Sequence, residues 1–431
     1  MSERPAVSLW QQPGFARFWL GRSMSFLGSE MSLFVLPVTA ATILRADATQ
    51  IGLLAAAQTA PYALFGLLAG AWIDRWSRRA VMRIADIGRA MLIASAPLAV
   101  AAHALSIEML YGTAFAIGSL GVFATIGYQA AVPTLAGRER LVAANAYLEA
   151  GGGVAEAAGP ALGGLLIQLT SWVGAATIAG VSFLGGGLSL NGSRDLDDQV
   201  RATGRQRRSI RDDVAEGIRF VWRHDGLRAV VVCGCLDNVL GIGFFNPLYV
   251  LYATRHLQMT PATLGIVLAM TGVGAFVGAV AAGAVTTRFG VRATLVGSQL
   301  GAGLARVAMT IVAPGSALLV VLLCAEFIVG ASMPLFNVNL ISLRQAAASV
   351  RLQGRVNATV GVLLWGATPV GGLLAGVVSE LVGLRLALST AAALTCLATA
   401  VLFVPSATAI GLHVIVGSSG RSDPREVLEV R

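Results

Sequence analysis

The chain has 431 residues, of which 56% are hydrophobic and only 12% are charged. Soluble domains carry about twice that charged fraction, so the composition excludes an ordinary soluble fold and points to a chain that crosses a bilayer repeatedly. The 31 basic residues are all arginine and outnumber the 22 acidic ones, for a formal net charge of +9. They fall at intervals between apolar runs, which is the pattern of loops beside an anionic membrane surface and not of a nucleic-acid interface.

In chain order, the opening MSERPAVSLWQQPG lacks an apolar stretch and does not read as a cleaved signal peptide. Apolar segments of spanning length follow at about 17–42, 48–72, 80–101, 106–132, 142–168 and 171–190. After a polar interval, a second group stands at about 228–252, 261–285, 292–313, 316–340, 356–379 and 382–404. Each is near the roughly 20 residues needed to cross a bilayer. This predicts an all-α membrane protein with twelve transmembrane helices in two six-helix bundles. The domains expected are 1–190, a linker at 191–227, 228–404, and a tail at 405–431.

Arginines orient the chain. Arg75, Arg78, Arg79, Arg138, Arg140, Arg288, Arg344, Arg351, Arg355 and the arginine-rich linker share one side, whereas the alternate turns hold few. The positive-inside bias therefore predicts both termini and the linker in the cytoplasm, with the protein in a bacterial cytoplasmic membrane. Within the linker, Ile210, Val214, Ile218 and Val221 or Trp222 recur at helical spacing among charged residues. That predicts an amphipathic helix lying along the inner membrane surface.

The stretch GLLAGAWIDRWSRRA, from Gly66 to Ala80, ends span two in a tight charge cluster. Gly66 and Gly70 are four apart, so a neighbouring helix can approach that face closely. Asp74 can accept from a helix N-terminus or pair with an arginine. The second half echoes the arrangement. Gly283, Thr287, Arg288, Gly290 and Arg292 repeat the spacing of Gly70, Asp74, Arg75, Ser77 and Arg79. Asn145 and Asn357 likewise open the fifth segment of each half. Two parallel copies joined by a basic loop suggest a two-bundle transporter.

The Gly66–Arg79 stretch resembles the loop 2–3 signature of the major facilitator superfamily through Gly66, Gly70, Asp74, Arg75, Arg78 and Arg79. Ser77 stands where that signature has glycine. The segments FARFWLGRSMSFLGSEM, AAVPTLAGRERLVAANAYLEAGG and EGIRFVWRHDGLR resemble the branch of enterobactin exporters and macrolide-efflux proteins. The resemblance implies the two-bundle fold and a gate at Gly66–Arg79 with its echo at Thr287, Arg288, Gly290 and Arg292. It also implies secondary active efflux of a small amphiphilic drug- or siderophore-like molecule by alternating access, driven by the proton gradient. Import of a small metabolite and a non-transporting receptor or scaffold are the alternative readings.

Ionisable residues inside spanning segments are costly and mark pathways or pairs. Glu30, Asp237, Glu326, Glu156 and Arg306 are the candidates for proton coupling or substrate contact, with Glu30 first. Asp86 and Arg89, at i and i+3, are expected to neutralise each other as a structural pair. Glu149, nearer the cytoplasmic end of its segment, is expected to cap or latch. The four scattered histidines and four cysteines form no metal or catalytic pattern. No metal, no cofactor and no enzymatic activity are expected. The expected partners are a small-molecule substrate and membrane lipids, without nucleic acid, and the protein is expected to work as a monomer.

Overall fold

A computed structural model describes residues 9, 14–73, 76–136, 140–190, 210–313, 315–348 and 350–403. Six helices make the first half: α1 Phe15–Thr42, α2 Ala48–Ile73, α3 Arg78–Ala101, α4 Ile107–Ala136, α5 Leu141–Leu169 and α6 Trp172–Ser189. A short helix, α7 Ile210–Arg223, leads to a broken span: α8 Asp225–Asp237, a π-helical stretch Asn238–Phe245, and α9 Asn246–Arg255. Five further helices complete the second half: α10 Pro261–Phe289, α11 Val291–Ile311, α12 Leu318–Ala347, α13 Val350–Val382 and α14 Leu384–Ala398. The long helices share one reason for being helical. In hydrocarbon the backbone must satisfy its own hydrogen bonds, so even Pro37, Pro61, Pro97, Pro133, Pro160, Pro334 and Pro369 stay inside helices.

Among the described residues, ten helical spans are long and apolar enough to cross a membrane. The expected twelve are therefore not all met on those grounds. α2, with 26 residues, and α11, with 21 residues, are the two outside the ten. α11 carries Arg292 and Arg306 together with Gln299 and several hydroxyls, which lower its hydropathy. The expected 106–132 segment extends to Ala136, and the seventh span begins at Asp225, earlier than expected.

Inside each half, neighbours pair as α1 with α5 and α6, α3 with α4 and α6, α10 with α12, and α11 with α12 and α14. Between the halves, α2 packs along α13 and α5 along α10. These contacts bring backbones together at small residues. Gly52 on α2 lies against the Gly372 carbonyl of α13, and Gly265 on α10 against the Pro160 carbonyl of α5, with no space for a side chain. The same device joins α10 to α12, where Gly274 and Gly278 meet the backbone at Phe327 and Ala331.

The hydrophobic core is divided unevenly. One cluster joins both halves at the arginine-poor end, with Phe34, Leu36, Ile51 and Phe183 beside Phe245, Tyr249, Leu264 and Ala391. At the arginine-rich end there are two separate clusters. Phe15, Phe18, Met82 and Tyr128 belong to the first half, and Val230, Leu295, Phe336 and Val360 to the second.

The internal repeat is visible in the turns. Arg45 and Gln258 are as far apart in sequence as Gly70 and Gly283, and both take left-handed φ, 52° and 51°. Matching backbone bonds close the two turns: Ala46 N–H to Ala40 O at 2.9 Å and Met259 N–H to Ala253 O at 3.0 Å.

α7 covers the expected amphipathic stretch, and it makes a helix contact that the sequence did not show. It docks on α13: Gly217 lies against Thr359 and the Arg355 carbonyl, Val221 is buried, and Glu216 pairs with Arg355. Ile218 and Trp222, expected on the same face as Val221, are exposed. The side chains of Ile210 and Val214, like the linker before Ile210 and the tail after Phe403, lie outside the described residues. The reason is geometric: the glycine lets α7 lie close to α13, which turns Ile218 outward.

Overpacking a tight contact costs about 1–3 kcal/mol. Gly278→Val should therefore lower the melting temperature of the purified protein, whereas Gly361→Ala, where an added methyl meets nothing within 4 Å, should not. Differential scanning fluorimetry in detergent checks this. Equal melting temperatures for the two variants would contradict the close approach of α10 and α12.

Candidate functional site: charges within the helical bundle

The first half holds a closed polar knot. Asp86 and Arg89 on α3 are in direct contact, and their side chains are 0% and 3% exposed. Ser25 on α1 donates to Asp86 Oδ1 at 2.9 Å, and Tyr128 on α4 donates to Oδ2 at 2.9 Å. Arg89 donates to Ser29 Oγ at 2.9 Å and to Ser25 Oγ at 2.8 Å, and its guanidinium lies 4.5 Å from the Phe183 ring centroid. Buried charges persist when paired and hydrogen-bonded. Here one carboxylate and one guanidinium are enclosed by α1, α3, α4 and α6. Ser25, Ser29, Tyr128 and Phe183 could not be assigned to this knot from sequence, because nothing in helical spacing marks a lone serine or tyrosine as a partner of a charge on another helix.

The second half holds a looser one. Arg306 on α11 donates to Asp237 Oδ1 at 2.6 Å, joining two helices, and the Asp237 side chain remains 21% exposed. Asp237 stands where α8 gives way to the π-helical stretch. Within that stretch, Gly241 lies against the Arg306 guanidinium, where a methyl would not fit. A π-helical turn widens the backbone, and the glycine there leaves the space that Arg306 fills. Asn238 accepts from Thr368 of α13 at 3.2 Å. Glu326 on α12 is buried and accepts from Thr271 of α10 at 2.7 Å. Tyr249 on α9 buries a hydroxyl that has no hydrogen-bond partner among the described residues. The glycines of LDNVLGIGFF were the only sequence signal for this irregularity.

The remaining candidates separate by place. Glu30 on α1 is half-buried against α5, where Gly159 has no room for a side chain because of the Glu30 Cβ. Glu156 is one turn before Gly159 on α5, so both acids belong to the α1–α5 contact. Among the described residues, no ion pair joins either of them to a cation. Glu149, two turns nearer the arginine-rich end, is 82% exposed and lies 3.6 Å from Arg22.

Of the loop 2–3 cluster, Asp74 and Arg75 lie outside the described residues. Gly66 approaches Val362 of α13 at 3.8 Å for an added methyl, and the side of the helix at Gly70 is not described. Arg78 donates to the Ala130 carbonyl of α4 at 2.8 Å. Ser77 caps α3 by accepting from the Ala80 N–H, with φ −56°, so this turn needs no glycine conformation. Its counterpart Gly290 caps α11 at φ 83°, where glycine is favoured. Thr287 bonds back to Ala284, Arg288 lies over Phe289, and Arg292 lies 5.2 Å from the Phe403 ring centroid.

At the opposite, arginine-poor end, polar contacts cross between the halves. Thr49 on α2 donates to Glu380 on α13 at 2.5 Å, and Arg255 on α9 donates to the Ala46 carbonyl at 2.8 Å. Neither Thr49 nor Glu380 had any distinguishing sequence context.

A sequence profile of the Major Facilitator Superfamily matches residues 18–236 and 231–413. The chain belongs to that superfamily: it is a multi-pass membrane transporter, and its role is transport and not catalysis. It is 29% identical over 353 residues to the Multidrug efflux pump Tap of Mycobacterium tuberculosis, covering 79% of this chain and 81% of the relative. It is 27% identical over 357 residues to the Tap pump of Mycolicibacterium fortuitum, covering 79% and 83%. These relatives align the chain with a multidrug efflux pump and do not single out the expected enterobactin and macrolide branch. Among solved structures, the nucleoside transporter NupG superposes with a TM-score of 0.70 at 13% identity, over 92% of this chain and 99% of that one. A bacterial homologue of the iron transporter ferroportin, in an inward-facing state, superposes with a TM-score of 0.64 at 18% identity, over 90% and 97%. Both likenesses concern the fold.

Removing one member of a buried ion pair leaves a bare charge and costs about 3–5 kcal/mol. Arg89→Met should therefore sharply lower thermal stability, and Asp86→Asn combined with Arg89→Met should recover part of the loss. A double variant no more stable than Arg89→Met, measured by thermal unfolding in detergent, would contradict the enclosed pair.

Proposed function

We propose that this protein exports small amphiphilic molecules across a bacterial cytoplasmic membrane by alternating access, using the proton gradient. One observation carries the reading: the core is shared between the halves at the arginine-poor end and split into two clusters at the arginine-rich end. With the arginine-rich end in the cytoplasm, this is a state closed to the outside and parted toward the inside. The α5–α10 contact supports it. Gly164 meets Pro261, Gly265 meets Pro160 and Gly272 meets Ala157, but Gly153, further toward the arginine-rich end, meets nothing within 4 Å.

In this reading all twelve long helical segments cross the bilayer in two bundles, 1–190 and 228–404, the linker 191–227 and the tail 405–431 are cytoplasmic, and a monomer suffices. Export is supported by the likeness to Tap pumps. The loop 2–3 cluster, Gly66 to Arg79, acts as the cytoplasmic gate that must assemble when the halves close on that side.

Glu30 is the proposed proton carrier. It is half-buried at the α1–α5 contact, it has no bonded cation among the described residues, and it sits where the shared core begins. A carboxyl that alternates between the two sides can load a proton outside and release it inside, while substrate binding favours that release by reciprocal linkage. Asp237, by contrast, is held by Arg306, and Asp86 is locked by three neighbouring groups, Arg89, Ser25 and Tyr128. Glu326 and Glu156 are the reserve carriers.

The test uses proteoliposomes. Glu30→Gln keeps the shape of the side chain but carries no exchangeable proton. It should abolish gradient-driven accumulation while retaining substrate exchange without a gradient. Undiminished driven accumulation in this variant would remove Glu30 as the carrier. Orientation is checked separately: on a background freed of native cysteines, Ser193→Cys and Thr203→Cys should react with impermeant maleimide only after cells are permeabilised. Labelling of both in intact cells would invert the topology.

A further inference from the structure

The start of α3 carries a feature that begins at Arg79, the last residue of the loop 2–3 cluster, and extends beyond it. Arg83, Ile84 and Met91 are exposed on the side of α3 away from the buried stripe of Met82, Asp86, Arg89 and Ile93, and Arg79 and Ile87, both partly buried, stand at the edges of that exposed side. Ser77, Arg79, Arg83, Ile84 and Ile87 line a surface cavity of about 480 Å³ at the arginine-rich end of the helix. Along the helix the chemistry changes once. Two guanidiniums stand at its start, four residues apart and so one above the other. Beyond them the exposed side chains are apolar as far as Leu98, with Ile84, Met91 and Leu98 each more than 60% exposed.

Arg78, next to Arg79, turns the other way and is engaged with α4. Arg79 and Arg83 have no hydrogen-bond or ionic partner among the described residues, and Arg79 Nε is shut off from solvent without an acceptor. The second copy of the repeat is different. Arg292, the counterpart of Arg79, is covered by Phe403, and Val296 stands where the repeat would put Arg83. The cavity is therefore not a by-product of the repeated fold.

We propose that this cavity is a binding site for one anionic phospholipid of the cytoplasmic leaflet. Its phosphate lies between Arg79 and Arg83, and an acyl chain runs along Ile84, Ile87 and Met91. Charge complementarity and depth both favour this occupant. Paired basic groups at the membrane surface each attract an anionic headgroup, worth about fivefold in affinity per arginine. The apolar stripe that continues from them has the length and direction of a lipid chain. A soluble anion would use only the arginine end. A bound lipid would also tie the start of α3, immediately after the gate, to the membrane surface. The site rests on the membrane placement of α3 alone and not on the substrate or the coupling ion, so a failed transport assay leaves it standing.

Native mass spectrometry of the purified full chain tests it, using equimolar phosphatidylglycerol and phosphatidylcholine of identical acyl chains. The wild-type protein should retain one phosphatidylglycerol in at least tenfold preference to phosphatidylcholine. Arg83→Gln and Arg79→Gln should each reduce that preference about fivefold, and the double variant should abolish it. Arg219→Gln on α7, an exposed arginine elsewhere, should leave it unchanged. Millimolar glycerol 3-phosphate should not displace the lipid; displacement would mean a free-phosphate site and overturn the proposal. Equal retention of both lipids by the wild type, or full preference in the double variant, would also overturn it. Arg83 is exposed and Arg79 partly so, and neither has a bonded partner among the described residues, so the variants should fold; monodispersity by gel filtration confirms that a lost preference is a lost site.

Discussion

The structure depends on how closely helix backbones can approach where small residues face one another. Lipid tails are as apolar as leucine, so burying apolar surface does little to hold one transmembrane helix to another. Close packing and backbone contact must do it instead. The chain has 51 glycines, and Gly52 on α2, Gly164 on α5, Gly265 and Gly272 on α10, and Gly372 and Gly376 on α13 stand where the two halves meet. These contacts make a strip of backbone-to-backbone packing that is dense at the arginine-poor end. Toward the other end it gives way to side-chain contacts such as Tyr62 stacked on Trp365, with ring centroids 5.7 Å apart. A strip of this kind gives the halves a place to rock without holding them rigidly, because no interlocked large side chains have to be pulled apart.

The two buried arginines divide the remaining work. Arg89 has its acid on its own helix and is enclosed by three neighbouring helices. Moving it would strip several charge-assisted bonds at once, so it fixes the shape of the first half. Arg306 reaches its acid across a helix boundary, at a π-helical stretch, with one bonded oxygen and a partly exposed carboxylate. The second half therefore carries the looser pair, beside a buried Glu326 held by Thr271 and a Tyr249 hydroxyl without a partner among the described residues. A bundle with one tight and one loose charge pair has unequal halves, although the turns at Arg45 and Gln258 still show their common plan.

Much of this was legible in the sequence. The lengths of the apolar runs gave the helices, the arginine spacing separated the two ends, and the Gly70 and Gly283 echo gave the repeat. The Asp86–Arg89 neighbours could be expected to meet because i and i+3 share a helix face. What sequence could not give was any contact between helices. The Asp237–Arg306 bond joins residues 69 apart, and Thr49 and Glu380 are 331 apart, so no periodicity relates them. The α7 docking on α13 could not be read for the same reason: an amphipathic period shows that one face is apolar but not which helix lies against it, and the contact is made at Gly217.

The central claim is that the halves must part at the arginine-poor end in each transport cycle, and one cross-link addresses it directly. Thr49→Cys and Glu380→Cys, introduced together on a background lacking Cys233, Cys235, Cys324 and Cys396, place thiols at the two positions that the Thr49–Glu380 hydrogen bond joins between α2 and α13. The measurement is substrate flux in proteoliposomes before oxidation, after complete oxidation and after reduction. The disulfide should arrest flux, and a reductant should restore it. Unchanged flux with the disulfide fully formed would contradict the central claim.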